Sequence, residues 1–267
     1  MPHTKINNVS LCKAKVLLTN VSRYATIHSS SAKEGAHMNG ETIYKYEMHI
    51  HTARCSGGGS DIRAHIDTLI QKGYSGMVVT NHFFNGDTKV DRNLSWEQFV
   101  DAYRQDYLYG LEYARGRDFD LLFGLEEHVG YGQEILLYGI TPELIADHPE
   151  LKTPDPVVYA EVVHSAGGLV YQAHPYRNAP WIIRPEPLEC LDKLDGIEVY
   201  NAGNHPQWNE SAQRLADELG LACVAGSDGH GTDTAGRSGI GAKERIRCNE
   251  DLIRVLKSGN YIVLKNM

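Results

Sequence analysis

The chain contains no Cys-x-x-Cys pair: its five cysteines (Cys12, Cys55, Cys190, Cys223 and Cys248) lie scattered along 267 residues. An odd, dispersed set argues against a disulfide scaffold and points to reduced thiols in a cytoplasmic protein. No apolar run approaches the roughly 20 residues that cross a bilayer. Ala14 to Val21 is too short and too polar to serve as a secretory signal. A long basic run is also missing, and the formal charge is −8. Sequence-neutral binding of nucleic acid is therefore disfavoured, because neutralising phosphates takes clustered Lys and Arg. Gly57-Gly58-Gly59-Ser60 lacks the Gly-Lys-Ser/Thr of a nucleotide P-loop. It reads as a flexible loop, or as an anion seat ahead of a helix. There is no internal repeat.

What is present is an ample supply of core, with 42% hydrophobic and 22% charged residues. That fits one large domain or two small ones. Residues 1–40, with Ser29-Ser30-Ser31, break all periodicity and read as a weakly ordered extension. Met38 is as good a start as Met1. From residue 41 onward strands and helices alternate. Strands are expected at Ile43–His51, Gly76–Thr80, Leu121–Glu126, Glu134–Ile140, Leu169–His174, Gly196–Tyr200, Leu221–Ala225 and Tyr261–Leu264. Helices are expected at Asp61–Lys72, Trp96–Arg115, Pro156–Ala166, Gln207–Leu219 and Glu250–Lys257. Ser95 is a natural N-cap, and Gly220 and Gly259 are natural stops. The long helix carrying Trp96, Phe99, Tyr103, Tyr107 and Tyr113 reads as core or interface. Such alternation predicts a parallel sheet with crossovers, and seven or eight units in about 230 residues suit a closed barrel.

The strand ends carry the chemistry. His49 and His51, at i and i+2, share one face of a strand, so two imidazoles can meet one ion. His82, Glu126, His174, Asp228 and His230 each stand at or just past a short apolar run. In a barrel, such ends face one mouth. Nitrogen and carboxylate ligands gathered there predict a metal centre suited to Zn²⁺, Mn²⁺ or Fe²⁺. Metals bridged by a carboxylate lower the pKa of bound water and clamp phosphoryl oxygens. His65, His128, His148 and His164 are expected to pack or face solvent. Arg177, after His174-Pro175-Tyr176, and Arg237 are candidates for gripping a phosphate. Asn201 and His205 follow a strand end and are expected to face the same pocket. Asp228, His230 and His205 are the candidate catalytic residues, with His230 or His205 protonating the leaving group.

Glu47-Met48-His49-Ile50-His51-Thr52, Thr80-Asn81-His82, Gly124-Leu125-Glu126, Ala173-His174-Pro175 and Ser227-Asp228-Gly229-His230 stand in an order that resembles the polymerase and histidinol phosphatase (PHP) superfamily of metal-dependent phosphoesterases. The resemblance covers roughly residues 44–265. It implies a distorted (β/α)7 TIM-like barrel holding two or three divalent ions in a domain over 41–267. By that resemblance His49, His51, Glu126 and Asp228 would hold a first metal, Glu126 would bridge to a second held by His174, and His82 and His230 would hold a third. The chain departs from the pattern at Gly57, where the family carries Asp or His. It departs again at Glu134, the nearest counterpart of a family histidine, and at Asn81 and Glu47, each in place of an Asp. The activity implied is hydrolysis of a small phosphorylated metabolite, histidinol phosphate-like or nucleotide-like, through a metal-activated hydroxide. A nuclease or cyclic phosphodiesterase, and a catalytically weakened metal-binding module, are the alternatives. The expected partner is a small-molecule phosphate ester, with nucleic acid disfavoured and no membrane.

Overall fold

The computed structural model describes residues 36–38 and 41–267, so most of the expected extension over 1–40 lies outside the described residues. Within them, eleven strands form two sheets. The first has the order β11-β10-β2-β3-β4: β2 is Glu41–Glu47, β3 Gly76–Val79, β4 Asp120–Phe123, β10 Gly239–Ala242 and β11 Tyr261–Leu264. The short β1, Ala36–Met38, pairs antiparallel with β2. The second sheet has the order β5-β6-β7-β8-β9: Leu125–His128, Glu134–Tyr138, Leu169–Gln172, Gly196–Asn201 and Ala222–Gly226.

The helices lie close to where capping chemistry predicts. Asp61 accepts from the backbone of Arg63 at the start of α1, Ile62–Gln71. Ser95 and Gln98 form a reciprocal capping box on α2, Trp96–Ala114. Next come α3, Pro142–Ala146, and α4, Pro156–Ser165. The last two are α5, Pro206–Leu219, and α6, Asn249–Ser258, which end at Gly220 and Gly259 in the left-handed conformation. Trp96, Phe99 and Tyr103 of α2 are buried against Phe83, so this face of the aromatic helix is core.

The expected all-parallel barrel needs correction. Pairing is parallel in β2-β3-β4 and β7-β8-β9, but β5-β6-β7 and the β2-β10-β11 edge are antiparallel. No closed barrel forms among the described residues. The reason is local. The expected strand Leu121–Glu126 breaks at Gly124, where a Cβ would meet the Leu137 carbonyl at 2.7 Å and Val78 Cγ1 at 2.7 Å. Only glycine lets the chain pass this close as it leaves one sheet for the other. The sheets are then joined beyond their strand ends. Asp228 N–H donates to the His49 carbonyl at 2.8 Å and His51 N–H to that of Gly229 at 3.0 Å. Glu126 N–H donates to Asn81 at 3.0 Å and Phe83 N–H to Glu126 at 2.8 Å. Both joins fall on the segments that carry the metal-ligand candidates. No helix of the described residues is long and apolar enough to cross a membrane.

Candidate metal centre

Eight histidine and carboxylate side chains, His230 among them, converge where the two sheets meet. β2 ends at Glu47, and His49 and His51 follow it with both rings buried. His82 follows β3, Glu126 lies within β5, and Glu134 opens β6. His174 and Asp228 each stand two residues past a strand, at φ 26° and φ 50°. A left-handed turn is costly for a non-glycine residue and marks functional sites. Here it turns both side chains back toward the cluster.

Glu126 is the hub. Its carboxylate oxygens lie 3.0 Å from His49 Nε2, 3.4 Å from His51 Nε2, 2.9 Å from His82 Nδ1 and 3.0 Å from His174 Nε2. Asp228 Oδ1 lies 3.0 Å from His51 Nε2 and 3.5 Å from His49 Nε2. Glu134 approaches His174 at 3.3 Å and His82 at 3.7 Å. The imidazoles of His51 and His230 stack at 4.3 Å, and those of His51 and His82 at 4.2 Å. Ligand atoms within 4.8 Å of one another form three groups: His49-His51-Glu126-Asp228, His51-His82-His230 and His82-Glu126-Glu134.

These residues fit divalent ions. The donors are imidazole nitrogen and carboxylate oxygen, the set that suits Zn²⁺, Mn²⁺ or Fe²⁺. Glu126 Oε2 and His82 Nδ1, both buried, make no hydrogen bond although they lie 2.9 Å apart. Two buried polar atoms that meet without bonding geometry call for a third partner between them. Charge is correspondingly concentrated. Burial would raise the Glu126 pKa, yet His49, His82 and His174 hold it well below the usual carboxylate value. Asp228 is likewise held low against its burial by Arg177 and His49. Burial opposes charge on His82, but Glu126 and Glu134 lift its pKa to about 9, and Glu126, Glu198 and Asp228 lift His49. His51 goes the other way, to about 3, through burial and the neighbouring His82.

Around the ligands sits a polar layer. Glu47, fully buried, accepts from the backbone of Met48, His49, Ser227 and Gly236, tying β2 to the segment that carries Asp228. Burial raises its pKa to about 7. Asn81 accepts from Thr52 N–H at 2.6 Å and from Ser56 Oγ at 3.2 Å, fixing the loop after His51. Arg177 donates to Asp228 Oδ2 at 2.6 Å and to Asn204 Oδ1 at 2.8 Å. It also lines a cavity with His174, Tyr176 and Gly132. Asn201 donates to Glu198 at 3.0 Å and to Asp228 at 3.3 Å.

Two sequence candidates stand apart. His205 is exposed at the N-cap of α5, its ring 5.8 Å from that of Trp208, and no hydrogen bond or ion pair joins it to the cluster. Arg237 is exposed past Gly236, whose φ of 68° turns the chain outward, and only its carbonyl is engaged, by Met267. Glu127, next to Glu126, points to the other face of β5, toward Asn85 and Tyr159. At Gly57 a Cβ would lie 2.3 Å from Asp87 Oδ2, so the Asp87 carboxylate takes the room a side chain there would need. The residue missed outright is Glu198. Its signal was an acid inside the buried apolar strand Gly196–Tyr200, which is expensive without a dedicated partner.

A family model described as PHP-associated matches residues 206–261, the segment that includes Asp228 and His230. The fold is similar to a two-domain protein from Bacteroides vulgatus containing a predicted PHP-like metal-dependent phosphoesterase, at 15% identity and TM-score 0.65, over 90% of this chain and 70% of that one. It is similar to PsfC of Pseudomonas syringae, at 15% identity and TM-score 0.58, over 79% and 88% of the two chains. It is also similar to the lesion-specific endonuclease Q of Pyrococcus furiosus, at 13% identity and TM-score 0.58, over 83% of this chain but only 58% of that one, so this chain spans a little over half its length. No curated protein sequence matches the chain. The fold is thus similar to those of these proteins, and the PHP-associated match rests on residues 206–261.

Proposed function

We propose that the chain is a metal-dependent phosphoric ester hydrolase, and that its substrate is a small phosphomonoester. The observation that carries this reading is Glu126, one buried carboxylate within 3.4 Å of four imidazole nitrogens. Such a residue is built to bridge cations. Bound divalent ions would supply Lewis-acid polarisation of the phosphoryl group and a nucleophile at neutral pH. His49, His51, Glu126 and Asp228 would hold one ion, and His82, His174, His230 and Glu134 complete the places for one or two more. The chain's own groups orient the rest. Arg177, fixed by Asp228 and Asn204 beside the cavity, presents a guanidinium to a phosphate oxygen. His230, at the edge of the cluster, is placed to hold a proton for the leaving oxygen. The surrounding βα loops, rather than any basic stripe, frame the opening, which favours a compact ester over a polynucleotide.

The test is turnover by chelator-stripped protein with and without Mn²⁺, on p-nitrophenyl phosphate beside its bis ester. Metal-restored cleavage of the monoester above the diester is expected. Preferential diester cleavage would replace the reading with a phosphodiesterase. Stoichiometric metal binding without turnover on either ester or on a panel of phosphorylated metabolites would replace it with a binding module.

A further inference from the structure

Glu198 lies in the middle of β8, 1% exposed, between the buried residues Ile197 and Val199. It belongs to none of the ligand groups, and nothing about its surroundings is apolar chance. Its Oε2 accepts from the backbone N–H of His174 at 2.9 Å and from Asn201 Nδ2 at 3.0 Å. Both of those are obligate donors. Its Oε1 lies 3.0 Å from His49 Nδ1. A carboxylate at that place accepts a proton-bearing Nδ1, and an imidazole that keeps its proton on Nδ1 has Nε2 to give. The Nε2 atom of His49 is the one that faces Glu126 at 3.0 Å and Asp228 at 3.5 Å. The other oxygen acts on a second ligand. By taking the His174 N–H, it satisfies the donor of a residue held at φ 26°, the turn that brings the His174 ring to Glu126.

We propose that Glu198 is a positioning residue that sets two metal ligands with one carboxylate: it keeps the proton of His49 on Nδ1, and it pins the backbone turn of His174. The assignment rests on the reading that His49 and His174 bind metal. It explains why an acid rather than an amide is buried here. Three donors converge on this side chain, and an amide offers one acceptor oxygen and an NH₂ group. If glutamine turned its oxygen to His174 and Asn201, its NH₂ would face His49 and force Nδ1 to accept. The proton would then move to Nε2, the metal-facing atom. If the glutamine flipped, its NH₂ would meet the His174 N–H, donor against donor.

The test is Glu198→Gln in the full chain, with Zn²⁺ as the probe. Zn²⁺ affinity is read by competition with a chromophoric chelator, and the His49 tautomer by nitrogen-15 NMR of the histidine rings in the zinc-loaded protein. The expected result is a loss of affinity of about 10- to 100-fold, the usual effect of removing such a partner. The protected Nδ1–H signal of His49, present in the wild type, should disappear. A residue that served the fold alone would lower the melting temperature of the metal-free protein and leave both readouts unchanged, and that result would overturn the assignment. Should Glu198→Gln fail to fold, Glu198→Asp keeps the charge but falls one methylene short of spanning both partners. It should lose affinity likewise, and unchanged affinity there overturns the assignment as well. A wild-type chain that binds no Zn²⁺ overturns the metal reading and the assignment together. Wild-type binding that Glu198→Gln shares in full overturns the assignment alone.

Discussion

The two sides of the ligand cluster are held in different ways. On the inner side, His49 and His51 are buried, the Asp228 side chain is 9% exposed, and each has a partner outside the cluster. Glu198 faces His49 Nδ1, Ser56 Oγ lies 3.4 Å from His51 Nδ1, and Arg177 braces Asp228. On the outer side, His82 and Glu134 are 13% and 14% exposed, and His82 Nδ1 lacks any hydrogen bond. The His230 ring has one hydrogen-bond contact, a long one of 3.4 Å to the Asp228 carbonyl, beside its stacking on His51. Preorganisation is thus concentrated on one side. On the proposed metal-binding reading, the inner residues would be in place before an ion arrived, whereas the outer ones would gain their geometry from the ion itself. That predicts a tightly held inner metal and a more exchangeable outer one.

The largest perturbation strikes the residue both sides share. Glu126→Gln removes the charge that four imidazoles face and leaves the carboxamide unable to bridge. Metal should be lost from both sides, and turnover should fall by more than about 100-fold, since even partners outside the ligand set cost 10- to 100-fold. Metal content by mass spectrometry, together with turnover, checks this. Retention of a full metal complement would mean that the two sides do not meet at Glu126.

A finer probe separates the sides without metal. In stripped protein, His49→Ala leaves Glu126, Glu198 and Asp228 buried around an empty place. Breaking a buried charge set in this way costs about 3–5 kcal/mol. His82→Ala opens a site that solvent already reaches and should cost about 1 kcal/mol. Urea denaturation of the two variants reads the difference. Equal costs would show that the outer side is as preorganised as the inner.

Much of this was legible in the chain. Residues that end a parallel strand were found because an apolar run stops and a polar ligand follows, as at His82, His174 and Asp228. The helices were found because Ser95, Asp61, Gly220 and Gly259 punctuate them locally. What escaped depends on long-range pairing. The hairpin of β5 and β6 gives no sign that it runs antiparallel, and β10, Gly239-Ile240-Gly241-Ala242, has too few side chains to show a period. Glu198 escaped because its partners, His49 and His174, lie 149 and 24 residues away. His205 and Arg237 lie apart from the cluster, because sequence proximity to a strand end does not say which way a loop turns.

The smallest effect, and the sharpest contrast, comes from two neighbours on one strand. Glu126 and Glu127 point to opposite faces of β5, as successive strand residues must. Imidazoles hold the first well below the usual carboxylate range, while burial pushes the second up to about 8, against opposing hydrogen bonds from Asn85 and Tyr159. The Tyr159 hydroxyl points to both the Leu151 carbonyl and Glu127 Oε2, and its single proton serves one of them at a time. A folded-state pKa above the unfolded one means that the folded chain retains a proton the unfolded chain releases. The stability this contributes is full below the unfolded value of 4.5, declines as pH rises toward about 8, and is gone above it. Glutamine mimics the protonated acid, its oxygen accepting from Asn85 and its NH₂ donating to Tyr159. In metal-free protein, Glu127→Gln should match the wild type near pH 5 and exceed it by about 1 kcal/mol near pH 9, the worth of one buried hydrogen bond. Urea melts at the two pH values decide it. A variant weakened equally at both would mean that Glu127 is ionised in the fold and that its charge is matched by a partner other than Asn85 and Tyr159.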